Sequence, residues 1–170
     1  MKLYRYVGPR RIAERVATSS GGTPIRSSRD VLAWIAASSQ ELDADGCVIV
    51  TFVVDDAGVL KVADRRSEHL VCAGGAHVRS AGEMTFAIHG GEVSVPAVSN
   101  QSTGYCPEPE SWPAVAEALA IAELSAPVGF SFACVFRLCT VCGSKNLIKE
   151  GVFECGVCGR ELPARYNCQD

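Results

Sequence analysis

Cys47-Val48-Ile49-Val50-Thr51-Phe52-Val53-Val54, then Asp55-Asp56-Ala57-Gly58, then Val59-Leu60-Lys61-Val62-Ala63-Asp64, is the stretch whose reading decides the fold. Branched and aromatic side chains pack well on a pleated surface and lose rotamer freedom in a helix, so both flanking runs read as strands. The Asp-Asp-Ala-Gly between them is turn chemistry, with carboxylates that bond nearby backbone N–H groups and a glycine free to take a positive φ. The result is an antiparallel hairpin. A second hairpin pairs Met84 to Ile88 with Glu92 to Val98 across Gly90-Gly91, a dipeptide suited to tight hairpin turns.

Working outward, Pro9 opens a short helix over Arg10 to Val16, and the Thr18 to Pro24 stretch breaks it. Ser27 or Ser28 caps a second helix, with Asp30 against the positive end of its dipole and Val31, Leu32, Trp34 and Ile35 forming a buried face. Arg65 to Ser80 reads as irregular. A third helix begins with Ser111 as cap and Pro113 in the first turn, carries Val115, Leu119 and Ala122 on one side, and stops before Pro127-Val128-Gly129. Phe130 to Leu138 reads as an apolar strand that joins the sheet. The expected architecture is α+β: an antiparallel sheet of four to five strands with helices over residues 1–130, then residues 131–170, where that strand leads into a small C-terminal module.

The module is Cys139-Thr140-Val141-Cys142-Gly143 and Cys155-Gly156-Val157-Cys158-Gly159, joined by Ser144 to Glu154. Two residues between cysteines let both sulfurs of a pair reach one ion from a tight turn, and the following glycine frees the backbone for that turn. Asn146 to Phe153 reads as a hairpin that brings the pairs together. Four thiolates form a closed tetrahedral shell suited to Zn²⁺, with iron as the alternative, and leave no position open for a substrate. The segment resembles the zinc-ribbon, rubredoxin-like class. The resemblance implies a tail that folds on its metal and serves either as a structural element or as a docking surface. Cys168 falls outside this spacing and is not expected to be a ligand; near the chain end, it is expected to react at an ordinary rate.

Nine cysteines in 170 residues fit metal ligation and free thiols better than a disulfide scaffold, because the number is odd and the N-terminus has no apolar run after its first charge. No run is long and apolar enough for a membrane helix, and a cytoplasmic location is the expectation. Residues 1–40 carry seven Lys or Arg against two acids, residues 41–130 four against thirteen, and residues 131–170 five against four. Phosphate-backbone binding draws its affinity from clustered cations, so only the N-terminal arm with Arg5, Arg10, Arg11, Arg15, Arg26 and Arg29 suits nucleic acid. A protein partner is favoured.

The most polar irregular stretch is Ser99-Asn100-Gln101-Ser102-Thr103-Gly104-Tyr105-Cys106-Pro107-Glu108-Pro109-Glu110. Connections of this kind present ligand-binding or catalytic groups. Cys106 is the candidate nucleophile, and His69 with Glu68, from the preceding irregular stretch, are the candidate base and its orienting carboxylate. The order of helix, four-strand meander, loop with Asn then Cys, Trp112-Pro113 and helix is similar to ubiquitin-conjugating enzymes. That resemblance implies a cysteine-dependent acyl or thioester transferase, with Cys106 holding the acyl group and Asn100 stabilising the oxyanion. Asn100 follows Val98-Ser99, however, where that family carries His-Pro. A zinc deaminase would place a Cys-x-x-Cys pair behind a proline beside this loop, and none is there. Three readings follow in order: a zinc-binding adaptor, a Cys106 transferase, and a nucleic-acid-binding protein.

Overall fold

The computed structural model describes residues 1–14, 16 and 21–169. Its elements in chain order are α1 (Arg10–Ala13), β1 (Thr23–Ile25), α2 (Ser28–Ala37), β2 (Cys47–Asp55), β3 (Leu60–Asp64), α3 (His69–Cys72), β4 (Val78–His89), β5 (Glu92–Val98), α4 (Trp112–Ile121), β6 (Phe136–Leu138) and β7 (Lys145–Leu147). The fold is α+β, with a five-stranded antiparallel sheet ordered β1-β3-β2-β4-β5 and a separate two-stranded sheet of β6 and β7.

β2 sits at the centre because it is apolar on both sides. Val50, Phe52 and Val54 enter one core with Val31 of α2 and Val115 and Leu119 of α4. Val53 faces a second core with Tyr4, Leu70, Cys72 and Tyr105. Each fully buried Val or Phe contributes about 1.5–3 kcal/mol, so a strand of this composition is most stable with both faces covered and a neighbour on each edge. The expected four-strand meander is therefore corrected. β4 pairs with β2 rather than with β3, and the chain crosses between them through α3.

β4 also starts at Val78, well before the expected Met84. The added residues Ser80, Ala81 and Gly82 are small rather than strand-like, and close packing explains them. A Cβ on Gly82 would lie 1.9 Å from the Ser99 carbonyl oxygen, so this edge admits only glycine. β1 likewise lies in a stretch read as a break, and pairs with β3.

α2 is capped as expected, with the Ser27 side chain accepting from the Asp30 backbone N–H. Ser111 does not cap α4. Its Oγ instead lies 3.0 Å from Ser80 Oγ in a buried pair that joins the helix to β4. α1 spans only four residues, and Arg15 lies outside the described residues. The expected strand over Phe130 to Leu138 is corrected as well. Phe132 makes one bridge to Ser99, and only Phe136–Leu138 is a strand, paired with β7 rather than with the main sheet. No helix among the described residues is long and apolar enough to cross a membrane.

Candidate metal centre

β6 delivers the chain into Cys139 and β7 carries it away from the first knuckle, so the two-stranded sheet is the base of the centre. Each knuckle closes in the same way. Gly143 N–H donates to Cys139 O at 2.9 Å and Gly159 N–H to Cys155 O at 2.8 Å, with both glycines at positive φ, 71° and 67°, as the spacing predicts. Cys139 and Cys155 N–H donate in turn to Ser144 O and Arg160 O. Between the knuckles the chain reverses at Glu150 and Gly151, both at positive φ, and Lys149 bridges Val152. That is the geometry of a tight hairpin.

The four sulfurs converge, all within 4.8 Å of one another. Cys139 and Cys158 stand 3.6 Å apart, and so do Cys142 and Cys155. Sulfurs at about 2.3 Å from one tetrahedral ion are separated by about 3.8 Å, so this donor set fits a single metal with little adjustment. Cys139 and Cys155 are buried beside Leu162, Ile148 and Phe153, while Cys142 and Cys158 face outward.

Two polar residues that spacing did not single out organise the cluster. Ser144 Oγ lies 3.1 Å from the sulfurs of both Cys142 and Cys155. Its hydroxyl holds both thiols below their ordinary range, and the Cys158 and Val157 backbone N–H groups help take Cys155 down to about 5. Asn146 spans the knuckles, its amide donating to Ser144 O while its oxygen accepts from Gly156 N–H at 3.0 Å. Such groups orient ligands and tune their basicity. The signal in the sequence was only a polar pair directly after the first knuckle.

The loop candidates separate into two places. Glu68 and His69 sit together at the start of α3, beside a shallow cleft lined also by Thr51, Arg65, Glu83, Gln101 and Thr103. His69 Nε2 lies 3.0 Å from Gly82 O, an acceptor, so that nitrogen carries the proton. Burial pushes the imidazole pKa down. Cys106 does not line this cleft. It is 0% exposed and packs with Cys134, Phe136 and Cys168. The neighbouring Cys168 thiol, followed by burial, pushes its thiol pKa up. Asn100 is also fully buried. Its amide donates to Pro107 O and Cys134 O, both at 2.8 Å, and its oxygen accepts from Cys134 N–H at 2.6 Å. Cys168, expected to be open near the chain end, is instead 5% exposed, because Tyr166 Oη donates to Cys106 O and Gln169 bonds Tyr105 O.

The first residues of the basic arm are engaged as well. Tyr4 pairs with Val78, Lys2 bonds Glu108, and Arg5 donates to Gln169 O.

Fold and site together define an α+β protein with a four-thiol, zinc-ribbon-like metal centre. Comparison with protein-family models, with curated proteins and with solved structures returns no match.

Proposed function

We propose that the chain is a Zn²⁺-binding adaptor whose ribbon, held by one structural ion, docks on another protein. Cys139, Cys142, Cys155 and Cys158 would hold the ion, and Zn²⁺ suits four thiolates because it favours tetrahedral coordination and undergoes no redox chemistry. The ion supplies folding energy rather than catalysis, since all four positions are taken by sulfur.

The observation that carries the docking role is what the ribbon turns outward. Val141 and Val157, one in the middle of each knuckle, are 65% and 74% exposed, and Val152 on the connecting hairpin is 58% exposed. Three apolar side chains held around one rigid centre favour a protein surface. The near balance of charge across residues 131–170 argues against a phosphate backbone.

The test is a photo-cross-linking residue, p-benzoylphenylalanine, placed at Val157 in the metal-loaded full chain in cells. Discrete protein adducts that vanish with Val141→Asp, at unchanged metal content, are the expected result. Adducts to nucleic acid, or no adducts, would overturn the docking role; elemental analysis finding iron or no metal would overturn the zinc assignment separately.

A further inference from the structure

The C-terminal segment brings a second set of thiols together, away from the metal centre. Cys106, Cys134 and Cys168 share one buried cluster with Phe136, bordered by Val7, Leu138, Leu147 and Tyr166. Among the described residues, only the ribbon cysteines converge as a group of three or more possible metal ligands. Within the cluster, Cys106 and Cys168 are brought into one buried packing unit although far apart in sequence, with Cys106 Sγ donating to Thr103 O at 3.4 Å.

We propose that Cys106 and Cys168 form a reversible disulfide driven by hydroperoxide, locking the C-terminal segment onto the loop between β5 and α4. The backbone on both sides is already fastened in register. Tyr166 Oη donates to Cys106 O at 2.7 Å, and Gln169 Nε2 donates to Tyr105 O at 3.0 Å and Arg5 O at 3.1 Å. Asn167 exchanges two hydrogen bonds with the Leu138 backbone. Cys106 itself is held in the left-handed region, φ 48°, with its N–H donating to Ser102 O at 2.7 Å. Both sulfurs are thus positioned by neighbours that bond directly across the gap.

The roles of the two sulfurs differ. The neighbouring Cys106 thiol and the cations Arg137 and Lys145 lower the Cys168 thiol pKa, while Cys106 keeps its proton, which it donates to Thr103 O. Cys134 lacks this assistance in kind: burial alone pushes its thiol up to about 11. The thiolate is the reactive form towards peroxide, so Cys168 is attacked first.

In the first step the Cys168 thiolate attacks hydrogen peroxide, the O–O bond breaks, and Cys168 sulfenic acid and hydroxide form. In the second, the Cys106 sulfur attacks the sulfenic sulfur, its proton leaves with the departing hydroxyl as water, and the S–S bond closes. Two thiols and one peroxide give one disulfide and two waters; each sulfur loses one electron and each peroxide oxygen gains one. Peroxide is small enough to reach a sulfur that bulkier oxidants would not. A thiol reductant reverses the bond by exchange.

The experiment treats the metal-loaded full chain with a stoichiometric amount of hydrogen peroxide, blocks remaining thiols under denaturing conditions, and maps peptides without reduction. Trypsin alone leaves Cys106 and Cys134 on one peptide. Adding a glutamate-specific protease, which cuts after Glu110, Glu117 and Glu123, separates them. The expected product is a Cys106 peptide linked to the Cys168 peptide, at least about tenfold above any Cys134 link, released by dithiothreitol and absent in Cys168→Ser. Cys134→Ala should retain it. Cys106 and Cys168 both surviving as free thiols while Cys47 oxidises, Cys168 linking to Cys134 instead, or either cysteine of the pair passing to sulfinic acid without a link would each overturn the proposal. Wild-type mapping alone decides between these outcomes if a variant fails to fold.

Discussion

Asn100 shows how a residue chosen for its chemistry becomes legible through its partners. Its side chain satisfies three backbone groups, Pro107 O, Cys134 O and Cys134 N–H, and so pins the connection towards the ribbon onto the loop after β5. Removing the amide leaves those groups buried and unpaired, at about 1–3 kcal/mol each where no water enters. Asn100→Ala should therefore lower the unfolding free energy by about 3 kcal/mol or more. Asn100→Asp should do no better, because a carboxylate cannot donate to two carbonyls. Urea unfolding followed by tryptophan fluorescence measures both; a loss under about 1 kcal/mol for Asn100→Ala would show that the clamp is not what holds the loop. In the sequence Asn100 stood out as a polar residue ahead of a cysteine. That its hydrogen bonds run to residue 134 is a fact of packing.

At the scale of elements, the β2–β3 hairpin carries its own electrostatic lock. Asp55 ends β2, accepts from Ala57 and Val59 N–H through Oδ1 at 3.0 and 2.8 Å, and pairs with Lys61 of β3 at 2.9 Å. Burial on its own would raise its carboxyl pKa. The Lys61 bond, the Val59 N–H, the Lys61 charge and the Ala57 N–H together outweigh it and leave the pKa below the usual value. A carboxyl depressed in the folded state stabilises the fold above its unfolded pKa, about 3.9, and loses that contribution as pH falls through the folded value. Asp55→Asn should thus cost stability at neutral pH, while the gap from wild type closes below about pH 4. Thermal melts across pH 2.5 to 7 check it (about 3 °C lower at pH 7 for each kcal/mol lost); a pH-independent gap would mean that the carboxylate charge has no part in the lock. The Asp-Asp-Ala-Gly turn was readable because every group it needs lies within five residues.

Across the whole molecule, the main core and the ribbon draw on different sources of stability. The main core is built from Ile25 to Leu124 with Trp112 against Phe130, and no ribbon residue enters it. The ribbon core is Cys139, Cys155 and Leu162, with Ile148 and Phe153, a small apolar surface whose folding energy the proposed ion would supply. Chelation, or Cys142→Ser, should expose amides over residues 139–162 to hydrogen exchange while β2 and β4 keep their protection. Concurrent loss of protection in β2 and β4 would place the boundary near residue 130 wrongly. Between these bodies lies the thiol cluster of Cys106, Cys134 and Cys168, which native-state alkylation should reach more slowly than the half-exposed Cys47.

What the sequence determined by itself is what short range determines: the turn that closes β2 onto β3, the Ser27 cap, and the two knuckles, where ligand spacing and a following glycine leave one workable geometry. Only the tertiary structure decided the rest. β4 runs back to Val78 because small residues fit against Ser99, β2 is central because both of its faces are apolar, and Phe130 to Val135 stay out of the sheet while Asn100 holds Cys134. Cys106 and Cys168 became buried neighbours through contacts between residues some sixty positions apart. Local propensity and spacing carry no record of such pairs, because the free energy that selects them comes from burial and hydrogen bonding formed only when the whole chain has packed.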